Sequence, residues 1–390
     1  MKIDANSVTF EPQDMAFVKK FGILKATEMA LDYHAEHPNL PFLYDAEQLA
    51  GFLGISRGEL NDIVNHIQKE YKETRLPKKD GTYRSLCVPS IRLRFCQDPI
   101  KEKILPQLPV SKFATAYQKG STTRGNAEPH IGKKFLLKLN ITDFFGSITF
   151  EQVQRTAFNT RYVSRQVGYL LTSLCCKDDS LPQGAATSPA LSNIVMYRFD
   201  DYIGRWCSQR QIAYTRYCDD MTFSANRPLY GVYQKVKTML REMGFELNES
   251  KTHFIGNDNR QSVTGLVVNE KLSIPSGYKR DLRKEVYYAL KFGVEDSVLH
   301  GHRSDFVEDG RPICCPTYML HLMGKVQYVL QIEPENLWLK DAQKKLLAYT
   351  YEHYNGLFAA GKNLKEREHQ ETCVYLHHLK DYRKNIAEIT

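Results

Sequence analysis

Two adjacent carboxylates, Asp219 and Asp220, sit inside the stretch AYTRYCDDMTFSAN at 213–226. Strand-forming residues flank them, Ile212 to Tyr217 before and Met221 to Ser224 after. The pattern predicts a hairpin with the two acids at its tip. Like charges this close raise each other's pKa unless a cation stabilises the ionised forms. A hard oxygen pair with open positions around it suits magnesium. Two other aspartate pairs have different settings: Asp178-Asp179 falls in a polar loop, and Asp200-Asp201 on a helix after Pro189, where exposure to solvent is expected. An acidic pair by itself reads as an exposed turn, so the surrounding elements must decide what Asp219 and Asp220 do.

Those elements can be read from hydrophobic spacing and turn residues. Residues 13–70 read as helices. Within 45–67, Leu49, Phe52, Leu53, Leu60, Ile63, Val64 and Ile67 recur near helical spacing, Asp45 is an N-cap, and Ser56 with Glu59 forms a capping box. The break at Gly54-Ile55-Ser56 has a helix-turn-helix outline, which would make a DNA-binding regulator. Two packed helices of a larger domain is the favoured reading, because no basic side chains crowd the second helix. RLPKKDGTYRSLCVPS at 75–90 reads as a hairpin turning at Asp80-Gly81, with Lys78, Lys79 and Arg84 making its tip cationic. Residues 91–108 are helical up to Pro106, 134–148 is a strand, and 150–176 is helical. A Gly/Pro loop at 181–189 runs into a long helix ending near 210, and 229–243 is helical. GFELNESKTHFIG and QSVTGLVVNEKLSIP are short strands. From Ser276 onward the chain is helical and basic, with later helices near 317–332, 337–354 and 363–385; the largest shift in composition falls at 272–277.

Composition narrows the class. A chain of 390 residues with 42% hydrophobic residues can build a core of two or three domains. The net charge of +8 suits a polyanionic partner, although a basic soluble protein of another kind would share it. The polar start, Met1-Lys2-Ile3-Asp4-Ala5-Asn6, does not resemble a signal peptide. No apolar run approaches the roughly 20 residues that span a bilayer. Nine cysteines without CxxC spacing argue against structural zinc and for reduced thiols, hence a cytoplasmic setting.

Tyr217-Cys218-Asp219-Asp220 resembles the YxDD motif of reverse transcriptases. LPQGAATSP at 181–189 resembles the family's QGxxxSP segment, LNITDFFGSI at 139–148 its first palm strand, and GFELNESKT at 244–252 the motif ending on a lysine. They occur in family order across 70–275. GNAEPH at 125–130 fits NAxxH, and Val263-Thr264-Gly265 fits VTG; both are marks of the retron group. The resemblance implies an α+β right-hand polymerase fold. Its parts are a helical N-terminal extension at 1–70, fingers at 71–135, and a palm at 136–275 with 150–182 contributing to the fingers. A helical thumb and tail would follow at 276–390. The implied activity is RNA-directed DNA synthesis on a cognate structured RNA, primed from an internal 2′-hydroxyl and giving branched RNA–DNA. The implied partners are that RNA and its product, deoxynucleotides and a separate effector in antiphage defence, with no membrane.

The resemblance also implies roles. Polymerisation joins a 3′-hydroxyl to an α-phosphate, and two Mg²⁺ ions about 3.5–4 Å apart can serve both oxygens. Asp219 would be the main ligand and Asp220 a neighbouring contributor. Lys251 matches the lysine proposed to protonate pyrophosphate. Gln183 and Gly184 would floor the nucleotide, Arg84 and Lys78 would clamp its triphosphate, and Asp143 would lie near it. Phe145 would exclude a 2′-hydroxyl, with Phe144 in the core. Asn126, His130, Val263, Thr264 and Gly265 would contact RNA. Lys279, Arg280, Arg283 and Lys284, interleaved with Tyr287 and Tyr288, suit a thumb gripping phosphates, or else a solvated helix face.

The departure is at position 140. The partner carboxylate is expected five residues before Phe145, and that residue is Asn140. Asparagine offers a neutral oxygen and no charge, so metal binding should weaken severely. Three accounts are open, in this order: an inactivating replacement of aspartate, a weak or silent natural protein, or a local shift that lets Asp143 serve, although on a strand it would face the other way. A chain so impaired could act instead as an RNA- or RNA–DNA-binding scaffold that holds an effector. Phe145→Ala should admit ribonucleotides, measured as the ratio of ribonucleotide to deoxynucleotide incorporation; an unchanged ratio would remove Phe145 as the gate.

Overall fold

The computed structural model describes residues 2–4, 7–77, 81, 83–158, 163–300, 306–308, 311–312 and 315–360. The chain divides into two compact units, 1–119 with 137–254 and 120–136 with 255–390.

The first unit is built on a four-stranded sheet in the order Ala213–Tyr217, Asp220–Ala225, Phe135–Asn140, His253–Gly256. The hairpin pairs Ala213 with Ser224 through to Tyr217 with Asp220, so Cys218 and Asp219 form a two-residue turn. Helix Ser188–Ser208 buries Leu191, Ile194, Phe199 and Ile203 in the same core as Leu137, Leu139, Tyr214 and Phe223. Pro189 sits in its first turn, where the missing N–H is no loss.

One expectation is overturned here. Asp200, expected in solvent, is 0% exposed, and so is Arg216 of the hairpin. Arg216 Nε donates to both Asp200 oxygens at 2.9 and 3.0 Å, and Tyr214 Oη donates to Oδ1 at 2.7 Å. Asp200 lies on the helix face turned toward the sheet, and its cationic partner is 16 residues away, beyond the reach of local pattern reading. The same guanidinium donates to the Cys218 carbonyl at 2.9 Å and to Asn193 Oδ1 at 3.1 Å. Burial works against its charge, but the Asp200 carboxylate outweighs that and raises its pKa. Residues 113–116 run parallel to the hairpin, with Arg216 N donating to Phe113 O and Thr115 N to Arg216 O, each at 2.8 Å.

The strand expected over 134–148 ends at Asn140, and 142–147 is a turn. The helix expected over 150–176 is broken into Phe150–Val153, a π-helical turn Gln154–Phe158, and Arg165–Cys175. The antiparallel strands Tyr71–Pro77 and Tyr83–Pro89 form the expected finger hairpin; Lys78, Lys79 and Asp80 lie outside the described residues. Helices Ala46–Leu53 and Arg57–Asn65 have the caps read from the sequence. They join the first unit's core through Leu49, Leu53, Leu60 and Ile63, and Asp62 pairs with Arg92 at 2.7 Å. This is the packed-pair arrangement.

Among its described residues the second unit is helical apart from short hairpins. Helices Ser276–Phe292, Cys315–Ile332 and Leu337–Ala360 share a core containing Leu282, Val286, Ala289, Tyr318, Leu322 and Leu346. The helix expected at 363–385 lies outside the described residues. Among the described residues no helix is long and apolar enough to cross a membrane.

Asp200→Ala should destabilise the chain by about 3–5 kcal/mol, because it strands a buried guanidinium. Thermal unfolding measures this. The pair change Asp200→Leu with Arg216→Met should recover part of the loss, and an unshifted melting temperature for Asp200→Ala would contradict the account.

Candidate active site

The hairpin turn opens onto a cleft of about 680 Å³, and all of its wall residues belong to the first unit. Cys218 adopts a left-handed backbone, φ +60°, at the first turn position, a conformation that costs a non-glycine residue energy. Two contacts hold it: Arg216 grips its carbonyl, and Tyr117 Oη donates to its Sγ at 3.1 Å. The turn is thereby set against the end of strand Phe135–Asn140, with Ile141 N donating to Asp219 O at 3.0 Å.

This brings residue 140 onto both acids. Asn140 Nδ2 donates to Asp219 Oδ2 at 2.6 Å and to Asp220 Oδ1 at 2.9 Å. Asp220's carboxyl is raised above the ordinary carboxylate range, mainly by desolvation. The Asn140 hydrogen bond pulls it back and the Asp219 charge pushes it up; Lys138 and Lys251 lower it further. The donor set decides what fits. Asp219 and Asp220 offer hard oxygens to a divalent ion, whereas Asn140 presents an N–H to the space between them and brings no charge. Among the described residues no group of three or more His, Cys, Asp or Glu gathers as a metal site. Asp143 therefore does not complete the set. It sits in a turn at φ +39°, with its carboxylate folded over Gly146, where an added Cβ would collide with Asp143 Oδ2.

The cleft walls gather most of the other expected residues. Arg84, Phe145, Gln183 and Lys251 line it with the two acids. Phe144 is buried and packs on Phe245, with the Arg216 guanidinium 5.7 Å from its ring. Gln183 O accepts from Cys87 N at 2.7 Å, tying the loop to the finger hairpin. Gly184 has φ +124°, and a Cβ there would lie 2.8 Å from the Cys87 carbonyl oxygen, so the close approach requires glycine. Tyr117 and Lys177 also line the cleft and were not anticipated. Tyr117 arrives on the segment beside the hairpin, which carries no motif. Lys177 pairs with Glu73 at 2.8 Å, a partner 104 residues away.

The residues expected to contact RNA belong to the second unit. Asn126, His130 and Val263 are buried, so their side chains face the unit's interior, while Gly265 is exposed. Lys279 pairs with Glu333 at 2.7 Å, and Arg283 lies over the Trp338 ring at 5.4 Å. Arg280 and Lys284 are exposed on the helix face opposite Leu282 and Val286, together with Tyr287 and Lys291.

Acids on a hairpin tip facing a neighbouring strand end, walled by a finger hairpin and a glycine-floored loop, define the palm of a right-hand nucleic-acid polymerase. Residues 76–268 match the reverse transcriptases (RNA-dependent DNA polymerases). The retron Ec86 reverse transcriptase of Escherichia coli is 28% identical over 270 residues, covering 68% of this chain and 84% of that one. The retron Mx65 reverse transcriptase of Myxococcus xanthus is 31% identical over 320 residues, 76% and 70% of the two chains. The retron Ec83 reverse transcriptase of Escherichia coli is 33% identical over 233 residues, 56% and 75%. The chain belongs to the retron reverse transcriptases, RNA-directed DNA polymerases whose domain uses divalent metal ions.

Asn140→Asp should lower the melting temperature in chelator, because three carboxylates then face one another. It should also raise Mn²⁺ affinity by about ten- to a hundredfold, read by calorimetric titration, and raise DNA synthesis. Equal, strong synthesis by both chains would defeat this view of position 140.

Proposed function

We propose that this chain binds a cognate structured RNA and copies part of it into DNA. The first nucleotide would join an internal 2′-hydroxyl of the RNA, giving a branched single-stranded DNA linked to RNA. The observation that carries this reading is the convergence of Asp219, Asp220 and residue 140 in one cleft walled by Arg84, Gln183 and Phe145. Magnesium held by Asp219 and Asp220 would supply activation of the attacking hydroxyl and stabilisation of the departing pyrophosphate. Arg84 would grip the triphosphate of the incoming deoxynucleotide, as a guanidinium suits phosphate oxygens, and Lys78 would add a second cation to that clamp. Asp143 would stand near the same triphosphate. Gln183 and Gly184 would form the floor, and Phe145 would press on the sugar. Lys251, close enough to lower the Asp220 pKa, would hand a proton to pyrophosphate. Arg280 and Lys284 would meet backbone phosphates, while Lys279 and Arg283 would shape that surface from their contacts with Glu333 and Trp338. The setting would be cytoplasmic antiphage defence with a separate effector protein.

Asn140 favours a second reading, in which the chain holds RNA, or RNA–DNA, as a scaffold for the effector and synthesises little DNA. Sequencing the nucleic acid that co-purifies with the chain separates the two. A branched RNA–DNA molecule supports synthesis. One RNA species without attached DNA supports the scaffold, and absence of any enriched RNA would overturn both.

A further inference from the structure

The two short motifs at 125–130 and 263–265 meet in the second unit, and their geometry gives them one joint task. Thr264 and Gly265 form the two-residue turn between Ser262–Val263 and Leu266–Val267, at φ +44° and +82°. Two positive φ values in a hairpin turn are the type I′ pattern, which favours Asn, Asp or Gly at its first position. A β-branched residue there is an outlier that the surroundings must hold in place.

The surroundings do so through the hydroxyl. Asn126 Nδ2 donates to Thr264 Oγ1 at 3.3 Å, and Thr264 Oγ1 donates to the Thr123 carbonyl at 3.2 Å. Both partners come from helix Thr123–Ala127, whose cap Thr122 accepts from Gly125 N at 2.9 Å. Gly132 N then donates to Val268 O at 3.0 Å, tying the following segment to the same hairpin. Asn126 is 1% exposed, and His130 and Val263 are 0% exposed. Burial, aided by the Lys133 charge, pushes the His130 imidazole down to about 3, so the ring stays neutral. What faces solvent is Gly265, with no atom within 4 Å of the place a Cβ would occupy.

We propose that Asn126 and Thr264 are a positioning pair, a clasp that fixes the Thr264–Gly265 turn so that its exposed backbone edge meets the sugar–phosphate backbone of the structured RNA. The inference rests on the RNA-binding reading above. Recognition of structured RNA by shape and 2′-hydroxyls needs a surface of fixed geometry. A glycine edge lets a sugar–phosphate chain approach closely. Threonine at 264 sacrifices turn preference for a hydroxyl that accepts from one residue and donates to another.

The test uses the full chain and the variants Asn126→Ala, Thr264→Val, their combination, Thr264→Ser, and Asn126→Ala with Thr264→Gly. Two quantities are read: hydrogen exchange at the amides of 263–266, and affinity for RNA recovered from the purified chain, with bulk transfer RNA as control. Each of the first two changes should speed exchange in the turn and weaken RNA binding by about tenfold. The combination should do less than the product of the two. Thr264→Ser should behave as the parent. Thr264→Gly, which relaxes the turn, should restore part of the affinity lost in Asn126→Ala. Multiplicative losses, or weaker binding with unchanged exchange, would overturn the clasp and make Asn126 a direct contact. If the parent shows no preference for the recovered RNA, the RNA-binding reading fails, and exchange still decides whether the clasp exists.

Discussion

The turn that carries Asp219 depends on one buried ion pair. Arg216 and Asp200 are both removed from water, at a desolvation cost of several kcal/mol per ion, and the arrangement persists because nearly every polar atom around them is used. The guanidinium meets Asp200, Asn193 and the Cys218 carbonyl, and Tyr214 adds a donor to the carboxylate. One side chain thus joins the long helix, the hairpin strand and the strained turn that carries Asp219. The backbone on either side of Arg216 also holds the 113–116 segment, which brings Tyr117 to the cleft. Loosening this pair would release the turn before it altered any residue that could touch a nucleotide.

Position 140 has the opposite character, being a local chemical choice within an intact frame. The strand end, the turn and the loop beneath them are all in place around it. The Asn140 amide puts a donor between two acids, which relieves their repulsion when no cation is present. Aspartate at 140 would reverse that balance, making the ion-free cleft less stable and the loaded one more so.

Much of the cleft was legible in the sequence because its parts lie in short contiguous segments. The hairpin around Asp219 follows from strand formers on both sides of a two-residue turn, and the observed register agrees. The Gly184 loop and the caps at Asp45 and Ser56 depend on backbone geometry that particular residue types satisfy locally. The burial of Asp200 is not legible in the sequence, because a carboxylate on a helix carries no local mark of the arginine that will bury it. Tyr117 and Lys177 carry no local mark for a related reason: the residues they bond, Cys218 and Glu73, are about a hundred positions away.

The sequence by itself determined which chemistry is present: two acids on a hairpin, a phenylalanine and a glutamine–glycine loop in family order, and asparagine where a third acid is expected. Only the tertiary structure decided which charges lie in water and which are locked inside, and that the residues at 126 and 264 form one clasp. Hydrophobic spacing and turn preference act over a few residues and are written in the chain. Pairing of buried polar groups is settled by whichever distant segment folding brings within about 3 Å.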